Sequence, residues 1–326
     1  MKVLVTTIPF GELDRKPLRI MEEAGVEYVI NPLGKKLTED DLCSLICGFD
    51  AVIAGTELIT KRVLEKTKTL KLISRVGIGL DNVDLLEARK RGIEVCYTPD
   101  APSPAVAELT ITLMLSLLRQ VHVSNSQIHA GIWHRFFGRR LSECAVGIIG
   151  TGRIGKRVIR HLDGFDVKRV LANDLHTKHS FAGVTSVEWC EKETIYREAD
   201  IVSIHVPLTK DTQHMIGRSQ LEMMKDDALL INTARGGIIN EQELFNVIQS
   251  GHLAGVALDV FEEEPYTGNF QELDKCLLTS HMGSMSIDCR TRMEVEATEE
   301  AVGYLAGNPL RRRVPETEYQ LREQQR

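Results

Sequence analysis

The feature that most limits how this chain can fold is a regular exchange of short apolar runs with amphipathic segments. In the first hundred residues "KVLVTTI", "VEYVI", "DAVIAG", "KLISRV" and "IEVCYTP" read as strands. Between them, "PLRIMEEAG", "TEDDLCSLICG", "TKRVLEKTKTL" and "NVDLLEARKRG" read as helices, with Thr38 as a cap and Gly25 and Gly48 as stops. Strands separated by helices pair in parallel, because each helix must cross the sheet before the next strand is laid down. A second series begins at "CAVGIIG" and runs through "VKRVLAND", "DIVSIHVP", "DALLINTA" and "LAGVALDVF". In it "NEQELFNVIQSG" is a helix capped by Asn240 and closed before Gly251. Two such series in 326 residues predict an α/β protein of two doubly wound parallel-sheet domains.

Pro99, Pro102 and Pro104 separate the two series and resist continuation of either element type. After them "AVAELTITLMLSLLRQV", Ala105 to Val121, is the longest lipophilic stretch. Glu108 and several hydroxyls interrupt it, so it reads as a buried helix rather than a membrane span. The N-terminal apolar run is too short for a signal peptide and reads as a first strand. From Ser284 a long helix to about Leu305 is expected, followed by a charged tail, "LRRRVPETEYQLREQQR", expected to be mobile. Its Arg311 to Arg313 read as a solvated terminus. A formal charge of -6 gives no electrostatic reason to expect nucleic acid or an anionic membrane as partner. The seven cysteines are odd in number, form no C-x-x-C pair and do not cluster with histidine at zinc spacing. They point to a reduced cytoplasmic protein with no metal site.

Within the second series, "CAVGIIGTGRIGKRV" places Gly150, Gly152 and Gly155 at G-x-G-x-x-G spacing. The pattern alone is weak. Here an apolar strand precedes it and an amphipathic helix follows, which is the context a dinucleotide fingerprint demands. The first glycine permits the turn, the second lets backbone approach a pyrophosphate, and the third lets helix pack on strand. The N–H groups of the first helical turn, at Arg153 and Ile154, would face the phosphates. Asp174, about 20 residues on at the end of the next strand, would hold the adenosine ribose diol and repel a 2′-phosphate. That favours NAD over NADP, with His176 and Lys178 close by as opposing positive groups.

In a doubly wound sheet, ligands bind beyond the carboxyl ends of the strands. His205, Arg235, Asp259 with Glu264, and His281 all fall at or just past such ends. Hydride transfer must be matched by proton transfer at an alcohol oxygen, which suits a histidine near neutral pH. A carboxylate beside that histidine would favour its protonated form. An arginine can grip a carboxylate at two points. Taken singly, each residue also has a plain reading: a loop histidine, a salt-bridge arginine, a solvated acidic run. Spacing does not choose among Glu262, Glu263 and Glu264.

Six motifs, "SRVGIGLDNVD", "GIIGTGRIG", "ADIVSIHVPLT", "LLINTARGGIIN", "GVALDVFEEEP" and "LLTSHMGS", occur here in the order found in one family. Over roughly residues 40 to 308 the chain resembles the D-isomer-specific 2-hydroxyacid dehydrogenases and, within them, the 3-phosphoglycerate dehydrogenases. The resemblance implies an NAD-dependent oxidation of a D-2-hydroxyacid, or the reverse reduction, with 3-phosphoglycerate among the candidate acids. It gives Arg235 the substrate carboxylate, His281 the proton, and Glu264, directly before the proline, the role of its partner. His205, Val206, Pro207, Thr212, Thr233, Ala234 and Gly283 would line the cofactor cleft, and Asp259 would contact its nicotinamide end. Arg75 would bind a substrate phosphate, with Arg135 adding charge. Backbone N–H groups of Val76 and Gly77 would hold the carboxylate. The implied division is a flavodoxin-like substrate domain, residues 1–99 plus 284–310, into which a Rossmann domain, 100–283, is inserted. Closure of the two would exclude water. Residues 311–326 would form a mobile tail, and no C-terminal regulatory domain is expected. The helix near 104–121 would build a homodimer. "TPDAPSPAVAEL" departs from the "TPNGNSLSAAEL" of the phosphoglycerate enzymes, Ser280 replaces a frequent proline, and Ser284 replaces a frequent second glycine. Two rival readings share the fold: an NAD-sensing binding protein without turnover, and a phosphonate-type dehydrogenase.

Overall fold

The computed structural model describes residues 1–175 and 187–324. The chain divides into two compact units, Met1–Pro102 with Ser284–Arg326, and Ser103–Gly283.

Unit 1 holds a five-stranded sheet of β1 (Lys2–Val5), β2 (Glu27–Ile30), β3 (Ala51–Ala54), β4 (Leu72–Arg75) and β5 (Glu94–Cys96). Every pairing is parallel and the order is β2-β1-β3-β4-β5, the flavodoxin-like arrangement. Alternation within strands sorts side chains to two buried faces. Val3, Val5, Ala51, Ile53 and Leu72 pack with Leu18 and Met21 of the helix Lys16–Glu23 and with Met293 and Ala297 of the helix Ile287–Leu305. Leu4, Val52, Ala54 and Ile73 pack on the other face with Leu42, Val63 and Leu85. Each fully buried aliphatic side chain contributes about 1.5–3 kcal/mol, which is why these strands read as unbroken apolar runs.

Two sequence expectations fail in unit 1. The helix expected over "TKRVLEKTKTL" is confined to Lys61–Leu64. Beyond it, Thr67 Oγ1 accepts the Leu70 N–H (3.3 Å) and Thr69 Oγ1 donates to the Phe49 carbonyl (2.8 Å), so the threonine hydroxyls offer the backbone partners outside a helix. The tail is not mobile over its described part. Residues 312–314 run antiparallel beside β5, with Tyr97 N–H donating to the Arg312 carbonyl and Val314 N–H to that of Val95. Arg312 pairs with Glu296 (3.2 Å) and Glu300 (3.1 Å) of the long helix. The helix Glu316–Gln324 then buries Tyr319 beneath the Arg89 guanidinium, 3.4 Å from the ring centroid. High charge suggested a solvated tail; the charges instead find fixed partners on unit 1.

Unit 2 holds a seven-stranded parallel sheet: β6 (Ala145–Ile149), β7 (Arg169–Asn173), β8 (Val187–Trp189), β9 (Ile201–Ile204), β10 (Leu229–Asn232), β11 (Gly255–Leu258) and β12 (Cys276–Leu278). Its order is β12-β11-β10-β9-β6-β7-β8, which is the Rossmann order extended by one strand. The helices Ser103–Leu118 and Arg153–Asp163 cover one face through Ile111, Met114, Val158 and Ile159. Ile195, Leu221, Leu244 and Val247 cover the other. The lipophilic run ends as a helix at Leu118, because Gln120 turns left-handed (φ 49°), and a second helix, Val121–His129, follows. No single helix among the described residues is long and apolar enough to cross a membrane.

Candidate active site and nucleotide cradle

The sheet of unit 2 reverses its winding between β6 and β9. A crevice opens at such a point, at the carboxyl ends of the two strands. Gly150 follows β6 and His205 follows β9. Gly150 adopts φ +94°, and a Cβ there would lie 2.6 Å from the His205 carbonyl carbon and oxygen, so glycine is required on both counts. A Cβ on Gly155 would sit 2.0 Å from the Gly150 carbonyl oxygen, which measures how closely helix and turn are packed. Gly152 is different: a Cβ there would meet nothing within 4 Å. Among the described residues nothing needs Gly152 to be bare, so its openness fits an approaching pyrophosphate. The helix Arg153–Asp163 starts from Gly152, which has no side chain to cap it, and the N–H groups of a first helical turn are of the kind that phosphates satisfy. Asp174 Oδ2 accepts the Thr151 N–H (2.6 Å) and hydroxyl (3.0 Å), which holds the carboxylate against the glycine turn. His176 and Lys178 lie outside the described residues.

His205 is half-buried, with Nε2 2.9 Å from Ser203 Oγ and Nδ1 sealed from solvent without a hydrogen-bond partner. Burial pushes its pKa down to about 3, so the ring is neutral at pH 7 and stores no proton there. Val206 packs on the glycine turn and Pro207 is exposed. The remaining residues expected to line the cleft have partners within the protein. Thr212 Oγ1 accepts the Thr209 N–H (2.8 Å) and donates to the Pro207 carbonyl (2.6 Å), closing its own loop. Thr233 is buried, its hydroxyl 2.9 Å from that of Thr110, so the side chain faces the helix Ser103–Leu118. Ala234, half-buried, follows it.

The strands β10, β11 and β12 are consecutive neighbours, so their carboxyl ends lie side by side. β10 delivers Arg235. Buried Asn232 pins the loop, Oδ1 accepting the Ala234 N–H (3.0 Å) and Nδ2 donating to the Arg235 carbonyl (2.8 Å). Arg235 Nη1 donates to the Ala234 carbonyl (2.7 Å). A Cβ on Gly236 would lie 1.9 Å from the Phe261 carbonyl oxygen, so that glycine lets the arginine loop lie flat on the segment after β11. In that segment the three glutamates part company. Glu262 accepts from His214 Nε2 (3.2 Å), Glu263 is exposed, and Glu264 turns inward, its Oε1 accepting the Phe261 N–H (3.2 Å). β12 delivers His281, whose Nδ1 lies 2.8 Å from Glu264 Oε2 and 3.0 Å from Oε1. A carboxylate against Nδ1 fixes the tautomer and stabilises the charge that appears when Nε2 takes a proton.

Asp259, expected at the nicotinamide end of the cofactor, also ties together the segment after β12. It is 1% exposed, and its carboxylate accepts from Thr279 Oγ1, Met282 N and Gly283 N. The Gly283 N–H is thereby taken up inside the protein. Asn232 and Thr279 escaped the sequence reading; a polar residue closing an apolar strand was their only signal.

In unit 1 the expected substrate contacts are differently employed. Arg75 is 3% exposed, and its guanidinium donates to the carbonyls of Gly79 (2.9 and 3.1 Å), Ala54 (3.1 Å) and Gly55. Burial of a charge demands such partners, and they make Arg75 a brace rather than an open phosphate site. The Val76 N–H donates to the Ala54 carbonyl (2.8 Å) and the Gly77 N–H to Thr98 Oγ1 (2.8 Å), so neither is held open for a carboxylate. Arg135 is exposed on unit 2.

Residues 111–283 match the family model for the NAD-binding domain of D-isomer-specific 2-hydroxyacid dehydrogenases. The chain is 35% identical to a D-3-phosphoglycerate dehydrogenase of Methanocaldococcus jannaschii over 94% of its own length and 58% of that protein's. It is 35% identical to a hydroxypyruvate reductase of Thermotoga maritima, over 81% of this chain and 87% of that one. Among solved structures, the Aquifex aeolicus D-lactate dehydrogenase complexed with NAD and lactic acid superposes with a TM-score of 0.81 at 25% identity, covering 94% of this chain and 96% of that one.

Proposed function

The chain belongs to the D-isomer-specific 2-hydroxyacid dehydrogenases, NAD-dependent oxidoreductases, and from that premise we propose that Arg235, Glu264 and His281 perform its chemistry on a small, unphosphorylated D-2-hydroxyacid or 2-oxoacid. The observation that carries the reading is the contact of His281 Nδ1 with Glu264 at 2.8 Å. It leaves Nε2 as the proton-carrying atom. A bound nicotinamide dinucleotide supplies or accepts the hydride at C2 of the acid. During reduction, His281 Nε2 gives its proton to the keto oxygen; during oxidation it removes the hydroxyl proton. Glu264 stabilises the imidazolium in both directions. Arg235 grips the carboxylate and polarises the carbonyl. The cofactor would rest on the turn Gly150–Gly155, its phosphates at the N–H groups of Arg153 and Ile154. Its ribose would meet Asp174, with His205 to Pro207 and Ala234 as walls.

The engaged guanidinium of Arg75 argues against a phosphorylated substrate, and the similarity to a hydroxypyruvate reductase along most of both chains favours a small oxoacid. An NADH-consumption screen over glyoxylate, hydroxypyruvate, pyruvate and 3-phosphohydroxypyruvate tests this. Hydroxypyruvate or glyoxylate is expected to give the highest kcat/KM, at least tenfold above the phosphorylated acid; the opposite ranking rejects the reading. Repeated with NADPH, the screen should show NADH preferred, and Asp174→Ala should narrow the preference. An unchanged ratio removes Asp174 from ribose recognition.

We further propose a homodimer built on unit 2. The helix Val121–His129 buries none of its residues, and the segment after it exposes Ile132, Trp133 (79%) and Phe137 (100%). Beside that helix runs a groove of about 680 Å³ lined by Thr112, Leu115, Val121 and Ile128. Arm and groove on one unit suit a second copy related by a two-fold axis, each arm filling the other's groove. Sedimentation should give the mass of two chains, and Trp133→Ser with Phe137→Ser should give one; a wild-type monomer rejects the dimer. The seven unpaired cysteines suit a reducing cytoplasm.

A further inference from the structure

Thr279 has no place in the chemistry above, yet the segment that presents His281 is built around it. Its hydroxyl donates to Asp259 Oδ1 at 2.6 Å, and its N–H to the Leu258 carbonyl at 3.0 Å. The same Oδ1 accepts the Met282 N–H (2.8 Å), and Oδ2 accepts that of Gly283 (2.8 Å). The His281 N–H donates to the Asp259 carbonyl (2.8 Å). Thr279–Gly283 is thus wound round one buried aspartate, with donors entering on both sides of the histidine.

His281 itself needs that hold. It sits at φ +50°, a left-handed conformation that a residue with a Cβ adopts only where its surroundings impose it. Directly before it stands Ser280, which lacks the ring that would restrict the chain there. An O–H···O⁻ bond is short and strong, and a buried carboxylate that loses one donor is left with an unsatisfied lone pair that the remaining donors alone must hold in place.

We propose that Thr279 is a positioning residue for the reaction: through Asp259 it fixes the backbone of His281 so that Nδ1 meets Glu264. The proposal rests on His281 being the proton carrier. It assigns no contact with substrate or cofactor to Thr279.

Thr279→Val keeps the shape and removes the hydroxyl; Thr279→Ser keeps the hydroxyl. Misplacing a reacting group by about an ångström costs on the order of a hundredfold. Thr279→Val is therefore expected to lower kcat roughly tenfold to a hundredfold. KM and NADH affinity by fluorescence titration should stay close to wild type, the melting temperature should fall by only a few degrees, and Thr279→Ser should recover most of kcat. In a double-mutant cycle with Glu264→Gln the two losses should be less than additive, because both act through one imidazole. A wild-type kcat in Thr279→Val, beside an inactive His281→Asn chain, overturns the positioning role and leaves the proton carrier standing. A fully active His281→Asn chain overturns the proton carrier and the proposal with it. A Thr279→Val chain that loses NADH affinity and melting temperature in step with kcat, or a Thr279→Ser chain as slow as the valine variant, shows a merely structural residue and overturns the proposal.

Discussion

His281→Asn lowers kcat by about a hundredfold to ten-thousandfold, the range that a positioned general acid–base group contributes, while NADH still binds. Two facts make this the largest expected effect. Of the two histidines at strand ends in unit 2, His205 is kept neutral by burial, with a pKa near 3. It therefore cannot substitute at pH 7. His281 is about one-third exposed and, among the described residues, has a carboxylate on its Nδ1. Asparagine preserves a polar group against Glu264 but has no atom that exchanges a proton near neutrality. The cradle lies on β6, β7 and β9, away from β12, so NADH fluorescence titration should give an affinity within about twofold of wild type. The measurement is the pair: single-turnover NADH oxidation with excess oxoacid, and NADH binding without it. A His281→Asn chain that turns over at the wild-type rate removes the imidazole from the mechanism. Loss of NADH binding together with kcat assigns His281 to the cofactor instead.

Much of this site could be read from sequence because its signals are local. The glycine turn, its preceding strand and its following helix lie within a dozen or so residues, and close packing dictates two of the three glycines directly. The strand ends that deliver Arg235, Glu264 and His281 follow from apolar runs and from the rule on carboxyl ends. The choice of Glu264 over its neighbours was not local. It came from resemblance, and the structure places Glu264, rather than Glu262 or Glu263, at His281 Nδ1. What escaped was long-range or depended on side-chain direction. Arg75 has the sequence of a ligand-binding arginine, but its orientation is set by carbonyls on β3 and on the loop after β4. Thr233 occupies a lining position in sequence and turns its hydroxyl to Thr110, far off along the chain. β8 and β12 are too short to show a periodicity of their own. The ordered tail depended on ion pairs with Glu296 and Glu300 that charge counting cannot locate.

Arg235→Lys tests the other half of the site, and its expected signature differs in kind. A guanidinium presents a planar fork that matches a carboxylate at two points; an ammonium is a point charge on a flexible stem. Losing one charge-assisted hydrogen bond is worth about 1.5–3 kcal/mol, so kcat/KM for a 2-oxoacid should fall roughly tenfold to a hundredfold. The fall should come mainly from KM, because the carboxylate is gripped equally before and during reaction. A further drop in kcat would measure how far the same fork also polarises the carbonyl. The backbone should tolerate the change. Asn232 holds the loop from both sides of Ala234, and Gly236 meets Phe261 through main-chain atoms, neither of which involves the Arg235 side chain. Folding and NADH affinity are thus expected to be preserved, which separates the result from general damage. The corresponding 2-oxoamide supplies the control. It lacks the carboxylate, so wild type and Arg235→Lys should reduce it with nearly equal, low efficiency. If the lysine variant loses as much on the amide as on the acid, Arg235 acts on the carbonyl or the loop, and the carboxylate is held elsewhere.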